Sequence, residues 1–284
     1  MIEANGVAPP THRPACPDGG ARILGTSVPR DDYLRMVRQA RHLIEEGEIY
    51  QVNLSQRLEL PAPVNPIDLA RALATHSPAP FSAWLDAGDF QIASASPERF
   101  VSLNGTRDES RPIKGTRPRR ALPAEDQAQL RELIASPKDR AENIMIVDLV
   151  RNDFGRVCRP GTVTAREICR PESYASVHHL VSIITGELAE GQGRASLLRA
   201  LFPGGSMTGA PKVRAMQTIA RLEPVPRGVY SGALGYLSFC GGLDLSIVIR
   251  TAIVAKGRTW LSVGGGIVAD SDPEAEHKES MDKA

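Results

Sequence analysis

A lysine held in a tight turn-like frame is the first candidate for chemistry. Lys114 lies within 111–120, RPIKGTRPRR, in a Pro-x-x-Gly setting. A deprotonated lysine amine can attack an electron-poor carbon and form a covalent intermediate. Neighbouring guanidinium groups that point toward the amine would lower its pKa by like-charge repulsion. The arginines available for this are Arg117, Arg119 and Arg120.

Two acidic pairs have a spacing that places both members on one face of a helix. Asp139 and Glu142 are three residues apart, as are Glu276 and Glu279, and both segments are predicted to be helical. Carboxylates from two helices that converge would suit Mg²⁺, which prefers oxygen ligands. Spacing alone favours the simpler alternative, since acidic residues on helices mostly face solvent.

Several single polar residues lie in apolar surroundings. Arg250 is inside an apolar run, and a buried arginine needs a carboxylate partner from the protein or from a ligand, which indicates an acidic ligand. Glu98 follows Ser-Pro at a predicted strand edge, and Gln51 lies in a predicted strand. His178 and His179 are adjacent in a strand and must face opposite sides, so at most one can point into a site.

Two glycine-rich segments lie next to predicted elements. Gly264–Gly266 follows an apolar strand, where backbone N–H groups could approach an anion, although a strand-end turn that needs positive φ fits equally well. The segment 203–212 precedes a helix. It lacks the Gly-Lys-Ser/Thr ending of a phosphate loop, which excludes nucleoside triphosphate binding of that kind.

Hydrophobic periodicity predicts the elements that must position these residues. Strand-like runs alternate with pairs of helices, which favours an α+β fold with antiparallel sheets over a doubly wound parallel sheet. A helix with its apolar face at Tyr33, Val37, Ala40 and Ile44 is expected near the start. Lys114 is expected in a loop, and 245–255 is expected to form one strand that carries Arg250.

Composition limits the class of protein. The chain has 284 residues, 42% of them hydrophobic, and a net charge of +1. This predicts a soluble globular protein without a nucleic-acid or membrane partner, because it has neither a basic excess nor an apolar run long enough for a membrane span. The four cysteines show no metal-ligand spacing and suit a reducing cytoplasm.

The first residues are predicted to lie outside the main domain. Residues 1–27 lack the features of a secretory signal and are expected to be a linker or remnant. Residues 28–284 are expected to form the catalytic domain, and the chain ends within a predicted helix, so we expect a fragment with a truncated C-terminus.

Seven segments taken together resemble the chorismate-utilising enzymes. That family includes anthranilate synthase, aminodeoxychorismate synthase, isochorismate synthase and salicylate synthase. The matching segments, in family order, are 49–55 (IYQVNLS), 96–100 (SPERF), 112–119 (PIKGTRPR), 138–153 (KDRAENIMIVDLVRND), 177–182 (VHHLVS), 203–212 (PGGSMTGAPK) and 264–271 (GGGIVADS). The resemblance implies the anthranilate synthase component I fold, with antiparallel sheets face to face and helices outside.

Two positions discriminate between branches of that family. The anthranilate synthases carry Ala at the position of Lys114, whereas the aminodeoxychorismate-forming branch carries Lys. The isochorismate and salicylate synthases carry a Lys at the position of Gln51, where the ammonia-using branches do not. The chain therefore resembles component I of the aminodeoxychorismate-forming branch, which supplies para-aminobenzoate for folate synthesis and receives ammonia from a glutaminase partner.

The resemblance also implies roles for the candidate residues. Lys114 would be the nucleophile, Glu98 the general acid, and Gln51 a further catalytic residue. Chorismate would be bound by the following residues: Arg250, Tyr236, Gly264, Gly265, Gly266, Thr208, Gly209, His179 and Thr116. Mg²⁺ would be bound by Glu142 and Glu276, with Glu279 and Asp139 as outer carboxylates.

Three other functions are compatible with parts of the sequence. Anthranilate synthesis is the first, and Lys114 argues against it. A non-catalytic remnant that still binds chorismate or a glutaminase is the second, motivated by the truncation expected at both ends of the chain. Nucleic-acid binding by the basic segment around Lys114 is the third, and it lacks interleaved aromatic residues.

Overall fold

The computed structural model describes residues 22–63 and 65–283. Its strands, in chain order, are β1 (Gly25–Thr26), β2 (Gln51–Pro61), β3 (Phe81–Asp86), β4 (Phe90–Ser96), β5 (Arg99–Asn104), β6 (Arg107–Arg111), β7 (Ile113–Pro118), β8 (Thr164–Ser173), β9 (Val177–Glu187), β10 (Gly209–Ala210), β11 (Ala233–Leu237), β12 (Leu243–Ile247), β13 (Thr251–Ala255) and β14 (Arg258–Ile267). Its helices are α1 (Arg30–Glu45), α2 (Pro66–His76), α3 (Pro123–Ala135), α4 (Pro137–Gly155), α5 (Arg194–Leu201), α6 (Gly205–Thr208), α7 (Lys212–Leu222) and α8 (Pro273–Asp282).

The strands form two antiparallel sheets, as the sequence predicted. Sheet A has the order β1-β2-β14-β13-β4-β3, and β10 pairs with the start of β2. Sheet B has the order β11-β12-β5-β6-β9, and β9 also pairs with β7 and β8. Strands β6 and β7 follow one another along β9 and are separated only by Pro112, which cannot donate a ladder hydrogen bond.

Helices cover one face of each sheet. In sheet A, Val52 and Leu54 of β2 pack against the buried face of α1 and against α7, and Tyr33 of α1 is fully buried, as its periodicity predicted. In sheet B, β5, β9 and β12 pack against α4 and α5 in the larger core cluster. Side chains alternate along a strand, so the opposite face of each sheet is free to line a site between them.

Two neighbouring strand connections pass from one sheet to the other at the same level. Strand β4 continues into β5 through Pro97 and Glu98, and β12 continues into β13 through 248–250. The predicted single strand 245–255 is therefore wrong, since it breaks at Arg250, which has φ of 47°. The apolar run hides the break because both halves are buried, each in a different sheet.

Lys114 lies in a strand and not in the predicted loop. It pairs with Leu180 of β9, and the register shifts between Lys114 and Thr116. Gly115 makes the bulge possible, because its φ is 76° and a Cβ there would lie 2.8 Å from the Leu133 side chain. The bulge changes the direction in which the strand presents its side chains next to Lys114.

The structure bears in part on three further predictions, which concern the N-terminal linker, membrane-spanning helices and the cysteines. Most of the predicted linker 1–27 lies outside the described residues, but Gly25–Thr26 pairs with β2 and so belongs to sheet A. Among the described helices, none is long and apolar enough to cross a membrane. The three cysteines in the described part of the chain are free thiols: Cys158, Cys169 and Cys240.

Gly209 provides a test of how closely β10 approaches β2. A methyl group at this residue would lie 2.1 Å from the carbonyl oxygen of Gln51, and φ is 132°. We expect Gly209→Ala to lower the free energy of unfolding by roughly 3 kcal/mol or more, measured by urea unfolding. Gly257→Ala is the matched control, because Gly257 also has positive φ but open space around it, and it should lose only about 1 kcal/mol. Equal losses would contradict the crowding argument.

Candidate active site

A cavity of about 580 Å³ lies between the two sheets. Sheet A contributes β14, sheet B contributes β7 and β9, and the two strand connections close one end with Glu98 and Arg250. Helices α4 and α8 bring carboxylates to the wall. A cavity of this size suits a small organic ligand. The predicted site residues that line it are Glu98, Lys114, Thr116, Asp139, Glu142, His179, Arg250, Gly264, Gly265, Gly266, Glu276 and Glu279.

Lys114 and Glu98 meet at Ser206. The Lys114 amine donates a hydrogen bond to the backbone carbonyl of Ser206 at 3.4 Å. Burial raises the pKa of the Glu98 carboxyl to about 7, and the Ser206 side chain and the Lys114 charge act in the opposite direction. Near neutral pH, about half of this carboxyl is protonated and able to donate a proton.

Two of the arginines near Lys114 are paired with carboxylates and are not grouped around its amine. Arg117 forms ion pairs with Glu132 and Asp139, and Arg119 forms one with Asp126. Each guanidinium is thus matched by a carboxylate that comes from α3 or α4. The segment is rich in basic residues, but the guanidiniums of Arg117 and Arg119 are neutralised by these ion pairs.

The glycine triplet is extended strand and not a turn. Gly264–Gly266 belongs to β14 and pairs with Leu54, Ser55 and Asn53 of β2. A Cβ on Gly266 would lie 2.2 Å from the side-chain nitrogen of Gln51 and 3.8 Å from the Lys114 amine. Gln51 is buried behind this glycine and lies outside the cavity lining. Glycine at 266 therefore makes room for both side chains.

The acidic residues lie at one side of the cavity. Burial raises the pKa of Glu142 and of Glu276, and the charge of Glu276 contributes to the rise at Glu142. Glu276 accepts a hydrogen bond from the Ser271 hydroxyl at 2.7 Å and lies 4.0 Å from the Lys138 amine. Mutual repulsion between buried carboxylates is the condition that a divalent cation would relieve.

The two outer carboxylates are already paired with cations. Asp139 is paired with Arg117 at 3.2 Å. Burial acts to raise the pKa of Glu279, but the Lys283 amine at 2.8 Å outweighs it, so this pKa is lowered. No three acidic, histidine or cysteine side chains in the described part of the chain converge as a ready metal site. The oxygen donors of Glu142 and Glu276 fit Mg²⁺ in kind.

The two adjacent histidines face opposite sides, as predicted. His179 lines the cavity, and its ring nitrogen Nδ1 lies 3.0 Å from the Thr116 hydroxyl. Burial lowers the pKa of His179 to about 4, so this ring is neutral at physiological pH. His178 points away and contacts Asp126 at 3.0 Å. His178 is thus part of the scaffold, and His179 is part of the site.

Besides Gln51, three predicted residues lie beside or outside the cavity. Thr208 and Gly209 are buried in the segment next to it, where the Thr208 hydroxyl donates to the Gly204 carbonyl and Gly209 pairs with Val52. Tyr236 lies on the edge strand β11 and is 63% exposed, so its placement does not support the predicted contact with the ligand. The local sequence does not show that the strand carrying Tyr236 lies at the edge of its sheet.

The cavity lining also includes residues that the sequence analysis did not single out, among them Asn53, Ser206, Tyr230 and Lys283. Tyr230 is buried, and the Arg227 guanidinium lies 5.8 Å from the centre of its ring. The sequence places Tyr230 only six residues before Tyr236, and no periodic pattern shows which of the two tyrosines lines the cavity. Lys283 donates to the Gly264 carbonyl at 3.0 Å and could not be placed without the fold.

Comparison with known proteins identifies the family of this chain. A sequence profile of the chorismate binding enzymes matches residues 3–284. Aminodeoxychorismate synthase of Streptomyces griseus is 49% identical over 95% of this chain and 37% of its own length. Aminodeoxychorismate synthase component 1 of Escherichia coli is 48% identical over 91% of this chain and 57% of its own length.

A solved structure shares the fold. Anthranilate synthase component I from Streptococcus pneumoniae superimposes with a TM-score of 0.85 at 37% identity, over 94% of this chain and 60% of that protein. The chain thus spans between 37% and 60% of the length of these relatives. The profile match over nearly every residue, the sequence identities and the shared fold show that this chain belongs to the chorismate-binding enzyme family.

Proposed function

We propose that this chain carries the catalytic site of an aminodeoxychorismate synthase component I, which converts chorismate and ammonia into 4-amino-4-deoxychorismate. The observation that carries the proposal is the meeting of Lys114 and Glu98 at Ser206. An amine and a carboxylic acid that is protonated near neutral pH are the two groups that displacement of a hydroxyl requires.

The proposed reaction divides one difficult substitution into two steps. The neutral amine of Lys114 attacks C2 of chorismate, both ring double bonds shift, and the C4 hydroxyl leaves as water with the proton of Glu98. Ammonia then attacks C4, both double bonds shift back, and the bond between C2 and the lysine nitrogen breaks, which releases the neutral lysine amine with which the reaction began. The new ammonium group at C4 gives one proton to the Glu98 carboxylate, which restores the acid.

Arg250 supports the choice of an acidic substrate. Its guanidinium is half-buried at the end of the cavity, and burial lowers its pKa. Among the described residues, no carboxylate lies within ion-pair distance of it. A partly desolvated guanidinium favours a carboxylate ligand, because it presents paired donors to the two oxygens. Chorismate carries two carboxylates.

Mg²⁺ is proposed as the cofactor. Glu142 and Glu276 would hold it, from α4 and α8 on the same side of the cavity. When bound, the ion would neutralise a carboxylate of the substrate next to the developing charge. Lys138 and Lys283 lie near the same carboxylates and would remain as flanking cations.

A partner that supplies ammonia is part of the proposal. The E. coli relative is named as component 1, which implies a further component in that protein. We infer that a glutaminase delivers ammonia to this chain as well, in a pathway that leads to para-aminobenzoate and folate. Anthranilate formation is the competing activity, and the residue at 114 separates the two.

Replacing the proposed nucleophile tests the reaction directly. The 284-residue chain would be incubated with chorismate, Mg²⁺ and excess ammonium, and the products identified by mass. We expect aminodeoxychorismate from the original chain and a loss of about 1,000-fold or more in Lys114→Ala. Lys256→Ala, on an exposed hairpin, is the control and should leave the rate unchanged. Anthranilate from the original chain would overturn the proposal, and chorismate binding without turnover would favour a non-catalytic role.

Glu98 should control both the pH profile and stability. Because the acid must be protonated, we expect kcat/KM to fall as pH rises through about 7. Glu98→Gln should lower kcat by about 100-fold or more and remove this fall in kcat/KM with rising pH.

The raised pKa of Glu98 means that its ionisation destabilises the fold as pH rises from 4.5 through about 7. Glu98→Gln should therefore raise the free energy of unfolding by of order 3 kcal/mol near pH 8, and by less than about 1 kcal/mol near pH 5. A pH-independent difference would contradict this.

The carboxylate pair can be tested without turnover. We expect Glu142→Gln to weaken Mg²⁺ binding by about 10-fold or more, measured by isothermal titration calorimetry in the presence of chorismate. Glu274→Gln is the matched control, because Glu274 lies on α8 but its side chain is 57% exposed and pairs with Arg30. Equal Mg²⁺ affinity in both variants would show that Glu142 does not bind the ion.

A further inference from the structure

A short segment between α5 and α7 holds the residue that contacts both proposed catalytic groups. Ser206 lies in α6, which has only four residues. Its carbonyl accepts a hydrogen bond from the Lys114 amine, it lines the cavity together with Glu98, and its side chain lowers the pKa of the Glu98 carboxyl. A helix this short cannot fix its own position. The orientation of both catalytic groups therefore depends on what holds the ends of this segment.

A buried ion pair joins those ends. The amine of Lys212, the first residue of α7, donates to the Leu201 carbonyl at 2.8 Å, and Leu201 is the last residue of α5. The same amine contacts the Asp153 carboxylate of α4 at 2.5 Å. Lys212 thus closes the base of the segment and fixes it to the core helix that packs under sheet B.

The pair is costly in its location. Side-chain exposure is 12% for Lys212 and 6% for Asp153. Burial lowers the pKa of Lys212 and raises the pKa of Asp153, which means that the surroundings disfavour both charges. Buried ion pairs add little net stability compared with apolar side chains of similar size. Neither residue lines the cavity, so neither is positioned to contact the substrate.

We propose that Lys212 and Asp153 form a positioning pair, which sets the place of Ser206 and through it the orientation of the Lys114 amine and the Glu98 carboxyl. The inference rests on the proposed function for its kinetic consequences, and on the contacts of Ser206 for its structural ones. A second contact assists from the other side, where Arg227 donates to the Met207 carbonyl at 2.6 Å.

The test separates position from stability. In the double variant Lys212→Met/Asp153→Leu both charges are removed and apolar volume replaces them, so much of the stability lost in Asp153→Leu alone should return. We expect kcat for aminodeoxychorismate formation to remain about 10- to 100-fold below that of the original chain, with KM for chorismate changed less than about 3-fold. Asp148→Asn, in the exposed ion pair with Arg151 on the same helix, is the control and should leave kcat unchanged.

A titration of Glu98 gives a readout that does not need turnover. The Ser206 side chain lowers the pKa of Glu98, so loss of that contact should raise this pKa above its original value of about 7 in the double variant. Carbon-13 NMR of labelled glutamate, assigned with Glu98→Gln, would measure it. A double variant with original stability, kcat and Glu98 titration would overturn the inference. If the original chain forms no aminodeoxychorismate, the proposed function fails, and the Glu98 titration still decides the positioning role.

Discussion

The site depends on the point where two paired strands change sheets together. Because β4 pairs with β13 and β5 pairs with β12, neither connection can move without the other. Backbone hydrogen bonds hold them in step, from Ala95 N–H to the Arg250 carbonyl and from Ile247 N–H to the Glu98 carbonyl, each at 3.0 Å. Strands that switch sheets make the corners of packed sheets. Here the corner places an acid and a guanidinium at one end of the cavity.

The free-energy cost of burying polar groups in the cavity is offset by apolar burial on the outer faces of the sheets. Glu98, Glu142 and Glu276 all have raised pKa values because burial disfavours their charged forms. The apolar clusters under α1 and α7 in sheet A, and under α4 and α5 in sheet B, lie on the outer faces and supply the burial that stabilises the domain. This separation lets the inner faces keep strained and charged groups for chemistry at the expense of stability.

Close backbone approach is the second constraint on the site. Gly266 leaves space for Gln51 and Lys114, Gly209 lets β10 reach β2, and Gly115 allows the bulge beside Lys114. Each position excludes a side chain for a different steric reason. The chain shares its fold with an anthranilate synthase component I at a TM-score of 0.85. Under the proposed function, a difference in product between the two proteins is expected to lie in single side chains such as Lys114.

The sequence by itself determined the α+β class, the antiparallel sheets, the buried face of α1 and twelve of the residues that line the cavity. Period-two and helical patterns are local, and the seven family segments occur in family order. It also determined the opposite orientation of His178 and His179, which follows from strand geometry alone. Only the tertiary structure decided the break at Arg250, the strand at Lys114, the pairing of the nearby arginines and the choice of Tyr230 over Tyr236 as a cavity residue. These depend on partners outside the local strand pattern, such as β9 and Asp139, so no local pattern could reveal them.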